Sequence, residues 1–234
     1  PGNNVREGYG NLYQWGRKDP LPGTNNFYPN TAPNIGYKFN DGYATVGDSH
    51  AEYTNPANVQ RMEKRTIGLG IREPGIMLPK VGGGKLSWTN RQYINLWSAD
   101  NDKMYESETP IKNGVKTIYD PSPVGFKVPD AYAFKDLSKG GAVWENGYTL
   151  KVDNDKDIYF QAGGYRDGRD GILKGVGVGG YAMYWASAAL IHGTGGPGFA
   201  FRALMTSGKF SMPITDPEGF GTRSYGLAVR PVAE

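Results

Sequence analysis

The second half of the chain alternates short apolar runs with glycine-rich turns. Short runs that are rich in aromatic and branched residues and bounded by glycine are typical of β-strands. From Tyr148 onward these runs read YTLKV, DIYFQAGGY, GYAMYWASA, FAFRALMT and YGLAVRPV. The pattern therefore predicts an antiparallel sheet in this half of the chain.

The longest apolar run is YAMYWASAALI, at residues 181–191. A transmembrane helix needs roughly 20 apolar residues. This run stops at His192 and the glycines that follow it. We therefore expect no direct membrane span.

Three stretches predict short helices. The strongest is VPDAYAFKDLSKGG, in which Pro129 and Asp130 suit a first turn and Gly140 suits the left-handed stop. The two weaker ones are TIGLGIRE, which begins at Thr66, and TNRQYINLW, which begins at Thr89. We expect the strongest of the three to pack on the sheet.

Composition supports a folded chain with few helices. Glycine and proline contribute 35 and 16 of the 234 residues, while aromatic residues still make up 13 %. Such a chain predicts short strands and much loop, and its first 60 residues predict one or two brief strands at most. At this length we expect one domain, residues 1–234. The opening PGNN has no secretory signal pattern, so we expect a mature terminus or a cut inside a longer protein.

Charge and cysteine content exclude several classes of protein. Lys+Arg 26 against Asp+Glu 23 gives a formal charge of +3, and neither sign forms a long block. A nucleic-acid partner is not expected, because phosphate binding needs a concentrated basic face. The absence of cysteine excludes disulfides, cysteine nucleophiles and the common structural zinc sites.

Two local motifs suggest ligands. GVGVGG at residues 175–180 has the spelling of a dinucleotide loop, but its upstream flank is polar and no acidic residue follows at the required distance, so we interpret it as a glycine turn. Asp153, Asp155 and Asp157 alternate as in calcium loops, although Ile158 and Gly164 stand where an EF-hand needs glycine and glutamate. A looser calcium site and a solvated turn both stay open there.

Catalytic signatures are weak. His50 and His192 are the two histidines, neither has a recognisable partner, and no G-x-S-x-G motif occurs. A pair of carboxyls for glycoside hydrolysis stays open because such residues meet only in the fold. The candidates are Asp153, Asp155, Asp157, Asp167 and Asp170.

Several longer motifs occur in a characteristic order, namely LYQWGRKDPLPG, KTIYDPSPVGFKVPD, AGGYRDG, GYAMYWASA and RSYGLAVRPV. Together they resemble the major paralogous domain of Fibrobacter and Bacteroidetes, a family of surface lipoproteins and fimbrial tip proteins. The resemblance implies an α+β, C-type-lectin-like domain with a twisted antiparallel sheet, one or two short helices and long loops. It also implies that YAMYWASA is the core strand, with Tyr181 and Trp185 filling the interior.

Three departures from related patterns limit the chemistry. Ser122 and Pro231 stand where the family often has cysteines, so a bridge found elsewhere in the family is not available here. The strings REPG and WENG do not match the calcium-dependent sugar motifs of C-type lectins. The formylglycine-generating enzyme, a fold relative, uses a cysteine-based copper site that this chain cannot form. We therefore expect no enzymatic activity, no cofactor and no metal.

The resemblance places the most variable surface between Ala188 and Thr222. Aromatic and cationic side chains are typical of contact hot spots. Because alternate residues of a strand face the core, some of these side chains could instead be packing residues, and Arg223 could brace the C-terminal strand. The candidate ligand-binding residues are Tyr184, His192, Phe199, Phe201, Arg202, Lys209, Phe220 and Arg223.

The resemblance therefore implies an extracellular binding or adhesion module at the bacterial outer-membrane surface or on a fimbria, forming the C-terminal domain of a longer protein. Its expected partner is a glycan or protein on a host or neighbouring cell, with pilus subunits as a further partner class. Two alternatives stay open. One is a surface hydrolase acting on glycan or peptidoglycan, and the other is a structural domain without a soluble ligand.

Overall fold

The structure, a computed structural model, describes residues 10–23, 37–39, 42–44, 67–72, 77–78, 87–89, 93–101, 113–134, 137, 147–153, 156–168, 173–176, 180–190, 198–206, 210–211 and 219–234. Strands far outnumber helices in this part of the chain. The strands are β1 (Asn11–Gln14), β2 (Leu21–Pro22), β3 (Tyr37–Phe39), β4 (Gly42–Ala44), β5 (Phe126–Lys127), β6 (Gly147–Asp153), β7 (Lys156–Gln161), β8 (Tyr165–Arg166), β9 (Leu173–Lys174), β10 (Ala182–Leu190), β11 (Phe199–Met205), β12 (Phe210–Ser211), β13 (Phe220–Thr222), β14 (Gly226–Ala228) and β15 (Val232–Ala233). The helices are α1 (Ile67–Arg72) and a 3-10 helix (Ala131–Phe134).

One large sheet organises the molecule. Its strands follow the order β12-β11-β10-β14-β1-β2, with β13 also paired to β11, β8 to β14, and β9 to β8. The pairings are antiparallel except for β10 with β14, which is parallel. Three two-stranded sheets, β3-β4, β6-β7 and β5-β15, complete the described strands. The predicted antiparallel sheet is thus confirmed. The one parallel strand pair among the described strands is β10 with β14, and β14 lies between β10 and β1.

Strand β10 is buried on both faces, since all nine of its residues are buried. Side chains alternate across a strand, so its even-numbered and odd-numbered residues face two different cores. We call these the hairpin core and the tryptophan core. The hairpin core contains Ala131, Phe134, Tyr148, Leu150, Phe160, Ala182, Tyr184, Ala186, Ala188, Leu190, Phe199, Phe201, Ala203 and Met205. The tryptophan core contains Trp15, Leu78, Trp88, Leu96, Trp97, Val128, Met183, Trp185, Ala189, Ala200, Leu204 and Leu227.

The second half of β10 shifts register against β11, and other segments satisfy its backbone there. The carbonyl of Ala186 accepts the indole N–H of Trp15 at 3.1 Å. The N–H of Ser187 donates to the carbonyl of Pro129 at 2.9 Å, and the amide of Asn101 donates to the carbonyl of Ser187 at 3.0 Å. Because a buried, unpaired backbone group costs free energy, these contacts fix β10 as firmly as a regular ladder would.

Two of the three predicted helices are present in shorter form. Helix α1 lies within TIGLGIRE. The strongest prediction is realised as a 3-10 helix, and Asp130 caps it by accepting from the N–H groups of Tyr132 and Ala133 at 2.8 and 3.0 Å. Leu137 is not helical, and Gly140 lies outside the described residues.

The third predicted helix, TNRQYINLW, is wrong for its described part, because residues 93–97 are not helical. Two contacts tie this part of the chain to distant segments. The hydroxyl of Thr117 donates to the carbonyl of Leu96, and the indole of Trp97 donates to the carbonyl of Arg17 at 3.2 Å. Tertiary contacts therefore override the local propensity.

Candidate functional site

The segment LYQWGR, residues 12–17, includes most of β1 and contributes Trp15 to the tryptophan core. Three of its carbonyls accept indole N–H groups from elsewhere in the chain. Trp185 donates to Tyr13 at 2.7 Å, Trp88 donates to Trp15 at 2.8 Å, and Trp97 donates to Arg17. A buried tryptophan needs such a partner, so these bonds fix both the rings and the segment.

Gln14 is fully buried and uses its whole side-chain amide. Its Nε2 donates to the carbonyls of Leu78 and Ser224 at 2.7 and 2.8 Å. Its Oε1 accepts from the N–H of Leu78 at 2.8 Å and from Arg17 Nη1 at 2.9 Å. One side chain therefore joins β1 to two distant segments.

Arg223 belongs to this interior rather than to a contact surface. It is 1 % exposed, donates to the carbonyl of Tyr93 at 2.6 Å and places its guanidinium 5.1 Å from the ring centre of Trp15. Burial lowers its pKa to about 10. We therefore no longer retain Arg223 as a ligand-binding candidate, because its side chain braces the turn before β14.

Three aromatic candidates are also buried. Tyr184, Phe199 and Phe201 belong to the hairpin core. The hydroxyl of Tyr184 donates to the carbonyl of Gln161 at 3.1 Å, and its ring packs edge-on against Phe160 with centroids 5.0 Å apart. Because a buried ring offers no face to a ligand, the structure corrects the prediction that these three residues form a contact surface.

Arg202 and Phe220 are half-buried and lie side by side. Arg202 Nε donates to the carbonyl of Phe220, and the ring of Phe220 meets Phe199 edge-on at 5.1 Å. A Cβ on Gly221 would approach Arg202 Cδ to 2.7 Å and Trp185 to 3.3 Å, so a larger residue there would displace the Arg202 side chain. These two predicted residues are the ones that the described structure brings together near the surface.

His192 and Lys209 lie outside the described residues, but their described neighbours are far apart. Leu190 pairs with Phe199 at one end of β11, and Phe210 pairs with Met205 at the other. At a rise of about 3.3 Å per residue these ends are roughly 20 Å apart. Leu190 and Phe210, the described residues nearest in sequence to His192 and Lys209, therefore lie at opposite ends of β11.

The acidic candidates do not form a described catalytic pair. Asp167 is fully buried and its Oδ2 accepts from Lys174 Nζ at 2.8 Å. Asp155 and Asp170 lie outside the described residues, as do the side chains of Asp153 and Asp157 in the β6-β7 hairpin. Among the described residues, no group of three or more His, Asp or Glu side chains is placed to hold a metal ion.

The DPSP motif forms a tight, internally bonded turn. Asp120 is buried, and its two carboxyl oxygens accept from the N–H groups of Ser122 and Val128 at 2.7 and 2.8 Å. Lys116 Nζ donates to the carbonyls of Ser122, Pro123 and Phe126 and lies 3.7 Å from Glu234 Oε1. The lysine ammonium thus holds the turn against the C-terminal end of the described chain.

A small cavity of about 220 Å³ lies beside this turn. Ser122 and Pro231, the two positions at which the resembled family often carries cysteine, both line it. The Ser122 hydroxyl is buried and has no hydrogen-bond partner among the described residues. The other lining residues are Asn11, Tyr13, Pro121, Pro123 and Val229.

A second surface feature, missed in the sequence, is a row of three tyrosines. Tyr165 is in the middle, with its ring centroid 5.8 Å from that of Tyr181 and 5.3 Å from that of Tyr225. Tyr181 is 37 % exposed, which corrects the expectation that it fills the core together with Trp185. The expectation of an interior Tyr181 came from the family resemblance, which treats YAMYWASA as a core strand. We call these three residues the tyrosine row.

No family model, curated protein or solved structure matches the chain. No helix in the described part of the chain is long and apolar enough to cross a membrane.

Proposed function

We propose that the chain is a non-enzymatic binding or adhesion module of a bacterial cell-surface lipoprotein or fimbrial tip protein, with a C-type-lectin-like organisation and an extracellular location. Its partner is a glycan or a protein. The order of the sequence motifs supports this proposal, and so does the predominance of β-strands over short helices.

The observation that carries the proposal is the complete burial of β10 between two cores. Recognition proteins commonly attach contact residues to such a rigid scaffold, because a preorganised surface loses little entropy on binding. Residues 191–198 connect β10 to β11, and half-buried Phe220 lies on the neighbouring strand β13. We place the primary contact at this end of the β10-β11 pair.

The hydrolase alternative receives less support. A glycosidase needs two carboxyls roughly 5 to 10 Å apart in a cleft. Asp167 is buried and bonded to Lys174, so its carboxylate is committed to a structural ion pair. Among the candidate acids with a described side chain, Asp167 therefore gives the hydrolase alternative no support.

The test measures attachment of the folded chain to arrayed glycans and to purified pilus subunits. His192→Ala is expected to lower attachment while leaving the melting temperature within a few degrees of that of the unmodified protein. Phe220→Ala is expected to lower both attachment and the melting temperature, because its ring also packs against Phe199. Lys18→Ala, at an exposed residue after β1, is the control and should change nothing. Lys209→Ala tests the segment that follows β11 and should also leave attachment unchanged.

Two results would contradict the proposal. Failure of the unmodified chain to attach to either probe would favour a structural domain. Release of products from glycan or peptidoglycan by the purified chain would favour a hydrolase.

A further inference from the structure

The tyrosine row is rigid. The N–H of Tyr181 donates to the carbonyl of Gly175 at 2.6 Å, and its carbonyl accepts from the N–H of Gly164 at 2.9 Å. Both glycines have positive φ angles, 65° and 70°, which favour glycine over other residues. A Cβ on Gly175 would lie 2.2 Å from the Tyr181 ring, so the ring occupies space that only glycine leaves open.

The two inner rings of the row are supported by the protein interior. Tyr165 and Tyr225 are partly buried and pack against the tryptophan core. The row therefore combines one exposed ring with two supported rings. Rigid tyrosines of this kind supply amphipathic contact area at a low cost in conformational entropy, which is why they are enriched in binding surfaces.

The polar groups of the row are available for hydrogen bonding. No protein group among the described residues hydrogen-bonds the hydroxyls of Tyr165, Tyr181 or Tyr225. Burial is the main cause that raises the pKa of Tyr165; Asp167, Tyr225 and Tyr181 raise it further, and Lys174 lowers it. Because Asp167 and Lys174 form an ion pair at 2.8 Å, they largely neutralise each other.

We propose that the tyrosine row is a contact site for a neutral, hydroxyl-rich sugar ring. A sugar ring has apolar C–H faces and a rim of hydroxyls, which match the aromatic faces and phenol hydroxyls of the row. The inference rests on the proposed binding function, and it adds a ligand class and a second contact area.

The test titrates the full chain with cellotriose, maltotriose, mannotriose and chitotriose, using NMR shifts and calorimetry, and with the corresponding free monosaccharides. Tyr181→Ala is expected to weaken binding of at least one trisaccharide about tenfold or more, as truncation of an aromatic hot spot does. Tyr181→Phe keeps the ring and should cost only a few-fold. Gly175→Ala keeps the tyrosine but displaces it, and should resemble Tyr181→Ala.

The matched control is Tyr159→Ala, which removes another exposed tyrosine from β7 and should leave affinity unchanged.

The titration distinguishes a free sugar from a glycan chain as the source of the ligand. Binding of the free monosaccharide at an affinity close to that of the trisaccharide indicates a soluble sugar, whereas binding of the trisaccharide alone indicates a glycan chain. Either result supports the proposal if it depends on Tyr181.

Three results would overturn the inference. If trisaccharide binding survives Tyr181→Ala but fails in His192→Ala or Phe220→Ala, the tyrosine row is not the sugar site, while the proposed binding function still holds. Capture of pilus subunits through Tyr181, with no sugar binding, makes the row a protein contact. Failure to bind any probe contradicts the inference and the proposed function together.

Discussion

The indole N–H of Trp185, in the middle of β10, donates to the carbonyl of Tyr13 in β1 at 2.7 Å, although 172 residues separate them. The parallel pairing of β10 with β14 and the pairing of β14 with β1 bring these two strands onto one sheet. The early segment LYQWGR therefore cannot adopt its final bonding until the late strands are present. Long-range bonds of this kind make the fold depend on contacts between the two ends of the chain.

Trp185→Phe is expected to lower the free energy of unfolding by about 2–4 kcal/mol. The smaller ring leaves a void in the tryptophan core and removes the bond to the carbonyl of Tyr13. Urea denaturation followed by circular dichroism would measure the loss. The comparison variant is Tyr181→Phe, which removes a hydroxyl from an exposed residue and should stay within about 0.5 kcal/mol. A loss below 1 kcal/mol for Trp185→Phe would show that the bond and its packing contribute little.

Gln14→Met should cost about 3 kcal/mol or more, although the side-chain volume is nearly kept. The substitution leaves buried groups of Leu78 and Ser224 without their partners, and each such group costs about 1–3 kcal/mol. Chemical denaturation of both proteins would give the difference. Leu12→Met, in the same strand, is the volume-conserving control and should cost less than about 1.5 kcal/mol. Equal losses in the two variants would mean that packing, and not the hydrogen bonds, dominates at Gln14.

The sequence predicts the strands of the C-terminal half well because their apolar runs are short and bounded by glycine. It does not predict that β10 and β11 are covered on both faces, since their largely apolar runs carry little alternation from which to identify an exposed side. Phe201 and Tyr184 were expected at a contact surface because of the family resemblance and their aromatic character, and they lie in the hairpin core instead. The covering elements, the β6-β7 hairpin and the scattered tryptophans, come from distant segments that local pattern cannot relate.

Sequence reasoning also fails to predict that one residue of the tyrosine row is exposed. Tyr181 adjoins β10 in sequence and was expected in the core, yet its ring is 37 % exposed and packs beside Tyr165. A glycine in GVGVGG was recognised as a turn residue. The sequence does not show that this turn leaves space for the Tyr181 ring, because that contact depends on tertiary structure.

Tyr184 gives the fold a specific weakness at alkaline pH. Burial raises the pKa of Tyr184 to about 12, from an ordinary value of 10.0. Between these values the unfolded chain releases the phenol proton while the folded chain keeps it, so rising pH favours unfolding. The contribution of Tyr184 to stability is thus fully present below pH 10 and is lost as the pH rises through 12.

Tyr184→Phe should therefore be less stable than the unmodified protein at pH 8, by about 1 kcal/mol for the lost bond to Gln161. The deficit should shrink or reverse near pH 11.5. Urea titrations at both pH values would measure the change. Burial also raises the pKa of Tyr148 to about 12, but this residue is present in both proteins and its effect cancels. Parallel stability curves across this pH range would contradict the assignment.

The cavity beside the DPSP turn predicts that Ser122→Cys combined with Pro231→Cys forms a disulfide. Both residues line the same small cavity although they are far apart in the chain, so a bridge would close a long loop and constrain the unfolded state. Oxidation should consume both thiols and raise the free energy of unfolding by about 2–4 kcal/mol, and reductant should abolish the gain. Thiol titration and thermal melting with and without reductant would measure these effects, with Ser122→Cys alone as the control. Thiols that stay free after oxidation would place the two positions beyond bridging distance, because a disulfide needs Cα atoms within about 7 Å.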